Sequence, residues 1–237
     1  MKDWQEDLLE VASATHSEQE LFGKIEAAAR SLGFEHCAYG LRVPFPLSNP
    51  KTIILTNYPA AWQARYTQAG YVDSDPTVLH GRRTQVPLIW ADSVFESAAD
   101  LWDEARAFGL GVGWVQSSLD GNGVGGMLTL ARAKDPLSST ELASEEVKMR
   151  WLVNVSHMSM SRILAPRLGW HQRSSLTERE VEVLKWTADG KTASEISDIL
   201  TVSEHTVIFH VKNAVSKMQS ANKTAAVVRA AMMGLLN

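Results

Sequence analysis

Cysteine is nearly absent from this sequence, because Cys37 is the single cysteine in 237 residues. A disulfide within the chain needs two cysteines, so a disulfide-stabilised scaffold is excluded, and the composition fits a reducing compartment. Long apolar runs are missing too, since no stretch approaches the ~18 residues that span a bilayer. Residues 1–7 are rich in charge and form no apolar leader. We therefore expect a cytoplasmic protein without membrane attachment.

Patterns typical of enzymes and metal sites are also missing. His36 and His80 lack the HxH or HxxxH spacing of metal ligands, and Cys37 stands alone. The Gly-x-Ser-x-Gly elbow of serine hydrolases does not occur. We find no aspartate-rich phosphoacceptor cluster of the kind that a phosphorylation-driven response regulator needs. We expect no catalytic residue, no metal and no cofactor, so the chain is predicted not to be an enzyme.

Helix-start signals, in contrast, are abundant in the C-terminal part of the chain. Thr177 and Glu180 fit a capping box, in which the threonine hydroxyl accepts from a backbone amide and the glutamate reaches back to the threonine amide. Gly190 stands where a left-handed C-terminal cap is expected. Thr192 and Glu195 repeat the capping box, so a short second helix is predicted to start two residues after the first helix stops.

Ser203 predicts the start of a third helix and Asn222 that of a fourth. Apolar residues at three- and four-residue steps define the buried side of the third helix: Val207, Val211, Ala214, Val215 and Met218. This order predicts a helix-turn-helix, whose second helix enters the major groove of DNA. The residues predicted to contact DNA are Thr192, Ser203, His205, Thr206, Ile208, Phe209, Lys212 and Asn213. A small helical bundle without nucleic acid is the alternative.

The C-terminal segment has little excess positive charge. Residues 171–237 contain eight Lys or Arg and seven Asp or Glu, a net charge of +1, whereas the whole chain carries −4. Neutralisation of phosphates supplies most non-specific affinity for DNA. We therefore expect a single copy to bind DNA weakly and a dimer to bind it well.

The N-terminal part of the chain alternates helix and strand signals. Helices are predicted over 3–14, 17–32 and 140–164, and strands over 37–43, 52–57, 112–119 and 124–132. Asp120-Gly121-Asn122-Gly123 predicts a hairpin turn between the last two strands. The predicted fold class is α+β: an N-terminal α/β/α sandwich with a mostly antiparallel sheet, of the PAS- or GAF-like plan that encloses a small molecule, followed by a four-helix helix-turn-helix domain.

The predicted boundary between the domains lies where helical periodicity stops. Pro166, Gly169 and a polar cluster at 171–175 interrupt it. We predict a ligand-binding and dimerisation domain over 1–165, a linker over 166–175 and a DNA-binding domain over 176–237.

Aromatic residues gather in the middle of the N-terminal domain. Tyr58, Trp62 and Tyr66 step by four, so they are predicted to project from one face of a short helix. A hydrophobic core is the simpler explanation for any one of these rings. A buried carboxylate such as Asp75, or the polar edge of a buried Tyr or Trp, still needs a hydrogen-bond partner. An amphipathic ligand can supply it.

Both parts of the chain resemble the LuxR family of quorum-sensing regulators. In the C-terminal part the resemblance is carried by Leu176-Thr177-Glu178-Arg179-Glu180, Trp186-Thr187-Ala188, Gly190-Lys191-Thr192, Glu195-Ile196 and the run from Thr206 to His210. In the N-terminal part it is carried by Asn57-Tyr58-Pro59-Ala60-Ala61-Trp62, Tyr66, Asp75-Pro76, Trp90 and Gly113. Ile208 departs from the Lys or Asn that relatives commonly carry on the DNA-facing surface.

The resemblance implies an N-acyl-homoserine lactone as ligand. Trp62 would donate to the lactone carbonyl, Asp75 would accept the amide N–H, and Tyr58 and Thr129 would donate to the amide carbonyl. The predicted ligand-binding residues are Tyr58, Trp62, Tyr66, Asp75, Trp90, Trp102, Val115 and Thr129, with Leu110 and Met127 along the tail. Gln63 stands where some relatives carry Arg or Lys near a 3-oxo group, and we expect an unsubstituted chain of medium length.

The implied mechanism is ligand-dependent formation of a homodimer that binds palindromic double-stranded promoter DNA and contacts RNA polymerase if it activates. Apolar residues of the helix over 140–164 are predicted to form the dimer seam or to pack on the domain's own sheet: Met149, Trp151, Leu152, Val155, Met158 and Ile163. Two alternatives stay open. One is a regulator that needs no ligand or answers signals made by other cells, and the other is a lactone-processing enzyme.

Overall fold

The computed structural model describes residues 4–170 and 176–236, and these divide into two compact units. Of the described residues, the first unit comprises 4–43, 50–120 and 124–168, and the second comprises 44–49, 121–123, 169–170 and 176–236. Within the described residues, no helix is both long and apolar enough to cross a membrane.

The first unit contains six α-helices, three short 3₁₀ helices and five strands among its described residues. The helices are α1 (Trp4–Ala14), α2 (Glu18–Ser31), α3 (Ala60–Gln68), α4 (Pro76–Gly81), α5 (Ala99–Ala107) and α6 (Ser139–Arg167). The strands are β1 (His36–Arg42), β2 (Thr52–Thr56), β3 (Leu88–Ile89), β4 (Val112–Leu119) and β5 (Gly125–Arg132). The predicted strands agree within a residue or so. The sequence patterns did not predict α4, α5 or β3, because these elements are too short for a periodic signal.

The strands form one antiparallel sheet in the order β2-β1-β5-β4-β3. Ala38 pairs with Thr56 on β2 and Thr129 on β5, and Gly40 pairs with Ile54 and Met127 in the same way. Because side chains alternate along a strand, these residues share one face of the sheet. The predicted α/β/α sandwich is confirmed.

The opposite face of the sheet packs against α2 and α6. Tyr39 on β1 is fully buried there, and its hydroxyl lies 2.9 Å from Nδ1 of His157 on α6. The other imidazole nitrogen, Nε2, lies 3.0 Å from the carbonyl oxygen of Val124, which can only accept. Nε2 therefore donates, and the ring joins α6 to β1 and to the residue that precedes β5.

Helix α6 is longer than predicted. It continues through Pro166 to Arg167, two residues into the range 166–175 predicted as linker, and residues 171–175 of that range lie outside the described residues. Proline is tolerated so near the end because few backbone hydrogen bonds remain to be lost. Of the predicted seam residues, Met149, Leu152 and Val155 are buried in their own domain, whereas Met158 is 64% exposed.

The second unit contains four helices among its described residues: α7 (Glu178–Ala188), α8 (Ala193–Leu200), α9 (Glu204–Lys217) and α10 (Lys223–Met232). Each predicted cap is present. Both capping boxes form completely, with Thr177 and Thr192 as the first residues of the boxes, and Ser203 and Asn222 cap the next two helices. Val183, Ile196 and Val207 build the small core. The four-helix helix-turn-helix domain is therefore confirmed.

Candidate functional site

A cavity of about 230 Å³ lies on the face of the sheet opposite α6, under α3, α4 and α5. Three neighbouring strands supply its floor: Ala38, Gly40, Ile54, Thr56, Met127 and Thr129. Helices and connecting segments supply its walls: Tyr58, Trp62, Gln63, Tyr66, Thr67, Val72, Asp75, Thr77, Val78, Trp90, Phe95, Leu101, Trp102, Ala105 and Leu110. A mostly apolar lining with a few polar groups is typical of a small-molecule site.

The cavity gathers seven of the eight predicted ligand-binding residues: Tyr58, Trp62, Tyr66, Asp75, Trp90, Trp102 and Thr129. The eighth, Val115, does not line it. Val115 is 1% exposed and pairs directly with Thr129 across β4 and β5. The tail residues Leu110 and Met127 do line the cavity.

Tyr58 reaches the cavity in a different way from Trp62 and Tyr66. The prediction that all three rings lie on one helix is wrong for Tyr58, because α3 begins at Ala60 and Pro59 has a non-helical ψ of 133°. Trp62 and Tyr66 do share a face of α3, and their ring centroids are 5.7 Å apart. Tyr58 approaches from the segment that follows β2.

Asp75 is the acidic group of the cavity and is held at three points. Its Oδ1 accepts from the backbone N–H of Thr77 at 2.8 Å and from the Thr77 hydroxyl at 2.7 Å. Its Oδ2 accepts from the Tyr66 hydroxyl at 2.8 Å. Asp75 is 8% exposed and is also the N-cap of α4. Since each carboxylate oxygen can accept two hydrogen bonds, Oδ2 can accept one more from a ligand.

Both tyrosines beside this carboxylate remain hydrogen-bond donors. Burial raises the pKa of Tyr66, and the nearby Asp75 raises it further. Burial also raises the pKa of Tyr58, with smaller contributions from Cys37 and Asp75. The two phenols therefore stay protonated at neutral pH.

Several donors of the cavity have no partner among the described residues. The indole N–H of Trp90 is fully buried without a partner. The hydroxyls of Tyr58 and Thr129 and the indole N–H of Trp62 line the cavity and make no hydrogen bond within the described residues. A buried donor without a partner destabilises a protein by about 1–3 kcal/mol. The cavity lining thus combines several available donors with one carboxylate, that of Asp75.

The Trp102 ring forms part of the cavity wall, but its indole N–H already has a partner within the protein. Its Nε1 donates to Oδ1 of Asp92 at 2.7 Å. Its ring stacks on Phe95, with centroids 4.5 Å apart, and meets the Trp90 ring edge-on at 6.0 Å. The rings enclose the Trp90 side of the cavity.

Gly113 determines where the Trp90 ring lies. The Trp90 backbone N–H donates to the Gly113 carbonyl at 2.8 Å. A Cβ on residue 113 would lie 2.2 Å from the Trp90 ring, a distance that atoms cannot adopt. Glycine here lets the indole lie flat against β4.

The sequence analysis missed the floor residues on β1 and β2. The side chains of these residues offer few functional groups that a sequence motif could reveal: Ala38, Gly40, Ile54 and Thr56. The period-2 alternation of the two strands was the one signal available for finding them. Gln63 also lines the cavity, and its Nε2 donates to the Tyr58 carbonyl at 2.7 Å.

The predicted DNA-contacting residues occupy the two capped helix starts and the outer side of α9. His205, Ile208, Phe209 and Lys212 are exposed, Phe209 by 55%, and Thr206 and Asn213 are partly exposed. The hydroxyls of Thr192 and Ser203 accept from the backbone N–H groups of Glu195 and Thr206.

An ion pair between the buried Glu180 and the partly exposed Lys217 joins α7 to α9. Glu180 is 3% exposed, and its Oε2 accepts from Lys217 Nζ at 2.8 Å and from the Thr177 backbone N–H at 2.8 Å. Burial raises the pKa of Glu180, but the hydrogen bonds from Lys217 and Thr177 outweigh burial, so the pKa lies below its ordinary value.

Comparison with known proteins gives matches over both units. Residues 17–160 match the autoinducer binding domain family, and residues 174–230 match the bacterial regulatory proteins of the luxR family. The transcriptional activator protein AnoR of Acinetobacter nosocomialis is 45% identical over 238 residues, covering 100% of both chains.

Two solved structures of SdiA have a similar fold. The crystal structure of Escherichia coli SdiA is 34% identical with a TM-score of 0.83, covering 99% of this chain and 98% of that one. SdiA in complex with octanoyl-rac-glycerol is 34% identical with a TM-score of 0.81, covering 100% of this chain and 99% of that one.

Proposed function

Because the chain belongs to the LuxR family of bacterial regulators, with an autoinducer-binding domain before the DNA-binding domain, we propose that it is a quorum-sensing transcription factor whose signal is an N-acyl-homoserine lactone. On this proposal it acts in the cytoplasm, where the promoter DNA lies. The observation that carries the proposal is the set of donors without protein partners that lines the same mostly apolar cavity as Asp75.

The chemistry of the cavity complements this ligand group by group. An acyl-homoserine lactone offers two carbonyl acceptors and one N–H donor. We assign the lactone carbonyl to the Trp62 indole and the amide carbonyl to the hydroxyls of Tyr58 and Thr129. The amide N–H then donates to Oδ2 of Asp75, beside the bond from Tyr66. The donors of Trp62, Tyr58 and Thr129 and the free position on Oδ2 of Asp75 thereby gain partners, which is the condition for tight and selective binding.

Ligand binding is proposed to stabilise the folded first unit. A cavity lined by rings and unpaired donors costs stability when nothing fills it. A ligand that binds only the folded state stabilises it by about 4 kcal/mol at a thousandfold excess over Kd. That is a large share of the roughly 5–15 kcal/mol that holds an ordinary domain folded.

The proposed dimer seam is the exposed stripe of α6. Val147 is 76% exposed and Met158 is 64% exposed, and Trp151 lies four residues after Val147 and seven before Met158. Steps of four and seven residues keep these side chains on one side of the helix, as in a coiled-coil seam. A second copy packed on this stripe would cover its apolar surface.

The proposed DNA contact is made by α9 of each protomer in the major groove of a palindromic site, with half-sites one helical turn apart. The second unit has little net charge, so two copies are needed for firm binding. The name of the relative AnoR supports transcriptional activation, in which case the bound dimer contacts RNA polymerase.

Thermal unfolding of the full chain, with and without homoserine lactones carrying acyl chains of about four to fourteen carbons, tests the ligand. We expect the preferred lactone in large excess to raise the melting temperature by about 10 °C. Lys212→Ala on α9 is the control, since it should keep the ligand shift while weakening DNA binding. If the protein is well folded and no lactone raises its melting temperature, the proposed ligand class is wrong and a ligand-free regulator is favoured.

Acylglycerols are a second candidate ligand class, because SdiA has been solved with octanoyl-rac-glycerol. The ester carbonyl would accept from Tyr58 and Thr129, and a glycerol hydroxyl would donate to Asp75. Direct competition between octanoyl-homoserine lactone and octanoyl-rac-glycerol ranks the two. Loss of lactone beyond one equivalent per protein would instead show that the chain is a lactone-processing enzyme.

A further inference from the structure

Two large apolar side chains stand next to each other on the outer side of α9. Ile208 is 39% exposed and Phe209 is 55% exposed, whereas Val207 and Ala214 on the same helix are completely buried. Single exposed apolar side chains are ordinary on a protein surface and need no explanation. A neighbouring pair of them with polar residues on either side is typical of a surface that contacts another molecule.

The spacing along α9 shows what surrounds the pair. His205, Ile208, Phe209 and Lys212 follow one another at steps of three, one and three residues, so they lie on one side of the helix. All four side chains are exposed. The outer side of α9 therefore has an apolar centre between an imidazole and an ammonium group.

The charge on this side of α9 suits DNA. The stretch from His205 to Lys217 contains two lysines and no acidic residue. Lys217 binds Glu180, but Lys212 forms no ion pair with any residue in 4–170 or 176–236. An ammonium group of this kind can neutralise a phosphate. Phosphates border the base edges in the major groove, so a lysine beside an apolar pair matches that groove.

The chemistry of the major groove then decides which base an apolar side chain favours. Thymine presents a methyl group on C5, whereas the other base edges present hydrogen-bond donors and acceptors. Ile208 and Phe209 have no side-chain group that can form a hydrogen bond. If they covered a polar base edge, its donors and acceptors would lose water without gaining a partner, which is unfavourable.

We propose that Ile208 and Phe209 read thymine through its 5-methyl group and so determine part of the DNA sequence that the protein selects. The inference rests on the proposed placement of α9 in the major groove and adds the base that two of its residues select. Both residues lie in the first half of α9, which begins at Glu204, and the first residues of a recognition helix are those that reach base edges. A palindromic site should carry one such thymine in each half.

Replacement of thymine by deoxyuridine tests the proposal, because deoxyuridine pairs with adenine in the same way but lacks the methyl group. Duplexes are first selected from a random library by the full chain, with and without octanoyl-homoserine lactone. Each thymine of a selected duplex is then replaced in turn, and affinity is measured by fluorescence anisotropy. For the natural sequence we expect a loss of about fourfold at the contacted thymine of one half-site, and about sixteenfold when both half-sites are changed.

The double variant Ile208→Ala/Phe209→Ala completes a double-mutant cycle. We expect it to bind the thymine and deoxyuridine duplexes within about 1.5-fold of each other, since the contact with the methyl group is gone. If it binds DNA too weakly to measure, the two single variants take its place, and at least one of them should reduce the fourfold difference. Ile199→Ala is the matched control, because Ile199 is 43% exposed on α8, and it should keep that difference.

Two results would overturn the reading of thymine while leaving the proposed DNA contact intact. One is an unchanged affinity of the natural sequence at every deoxyuridine. The other is an equal loss in the natural sequence and the double variant, which would show that the methyl group acts through the shape of the DNA. If the full chain enriches no duplex with or without the lactone, the proposed DNA binding fails first, and this inference fails with it.

Discussion

Asp75 serves local structure and the cavity at the same time. Its Oδ1 caps α4 through the Thr77 backbone N–H, while Oδ2 is held by Tyr66 and turned toward the cavity. The cap fixes the carboxylate without using all of its acceptor capacity. A single side chain thus couples the position of a helix to the chemistry that a ligand meets.

Asp75→Asn separates the two roles. Asn is as good an N-cap as Asp, so we expect the melting temperature of the ligand-free protein to change little. An amide can turn an N–H toward the ligand N–H, so we expect affinity for octanoyl-homoserine lactone to fall about 10- to 100-fold. Calorimetric titration measures this.

Tyr66→Phe is the control for that substitution. It removes one donor to the carboxylate but leaves the acceptor for the ligand, so its loss of affinity should be smaller than that of Asp75→Asn. Equal affinity of Asp75→Asn and the natural sequence would exclude a hydrogen bond between Asp75 and the ligand amide.

At the scale of elements, one buried carboxylate joins two helices of the helix-turn-helix unit. Glu180 completes the capping box of α7 and also binds Lys217 at the end of α9. The orientation of α9, which is the proposed DNA-reading helix, therefore depends on a residue of another helix, α7.

Glu180→Gln should destabilise the protein in a pH-dependent way. The pKa of Glu180 in the folded state lies below its ordinary value of 4.5. A carboxylate with a lowered pKa contributes stability above its unfolded-state pKa and loses it as the pH falls through the folded value. We expect a cost of about 1.5 kcal/mol at pH 7, reduced because Lys217 is partly exposed, and a smaller cost below pH 4.5.

Chemical denaturation at pH 7 and near pH 4 measures this difference. Glu182→Gln is the control, because the pair between Glu182 and Arg179 is exposed on one helix and such pairs contribute little. A cost for Glu180→Gln that is the same at both pH values would show that the charge of Glu180 has no part in joining α7 to α9.

For the whole molecule, the proposed regulation depends on a second copy. Two acidic side chains in the seam, Val147→Glu and Met158→Glu, should repel their copies in the partner and keep the protein monomeric. We expect a lactone to raise the melting temperature of this double variant as much as it does for the natural sequence. Affinity for promoter DNA should fall at least tenfold, and its dependence on salt should become shallower, since fewer phosphates are neutralised.

Sedimentation velocity with and without octanoyl-homoserine lactone, followed by DNA titration, measures both effects. Glu145→Gln on the same helix, where the side chain is 29% exposed and pairs with Lys148, is a charge-changing control outside the stripe. A double variant that still dimerises would move the seam away from this stripe of α6.

The sequence by itself determined the elements that depend on local hydrogen bonds. The caps at Thr177, Thr192, Ser203 and Asn222 join atoms three residues apart, so the order of residues is enough to predict them. Alternation along β1, β4 and β5 is local in the same sense, and the strands were predicted within a residue. The chemically distinctive residues of the cavity could also be named from the sequence, because family resemblance and their aromatic rings mark them.

Only the tertiary structure decided which of those residues share a space. It left Val115 outside the lining, gave the Trp102 indole to Asp92, and brought Tyr58 to the cavity from outside α3. It also made Gly40 part of the floor. The physical reason is that a cavity is the gap between elements far apart in the chain, and its shape depends on sheet register and helix packing, which no short stretch of sequence encodes.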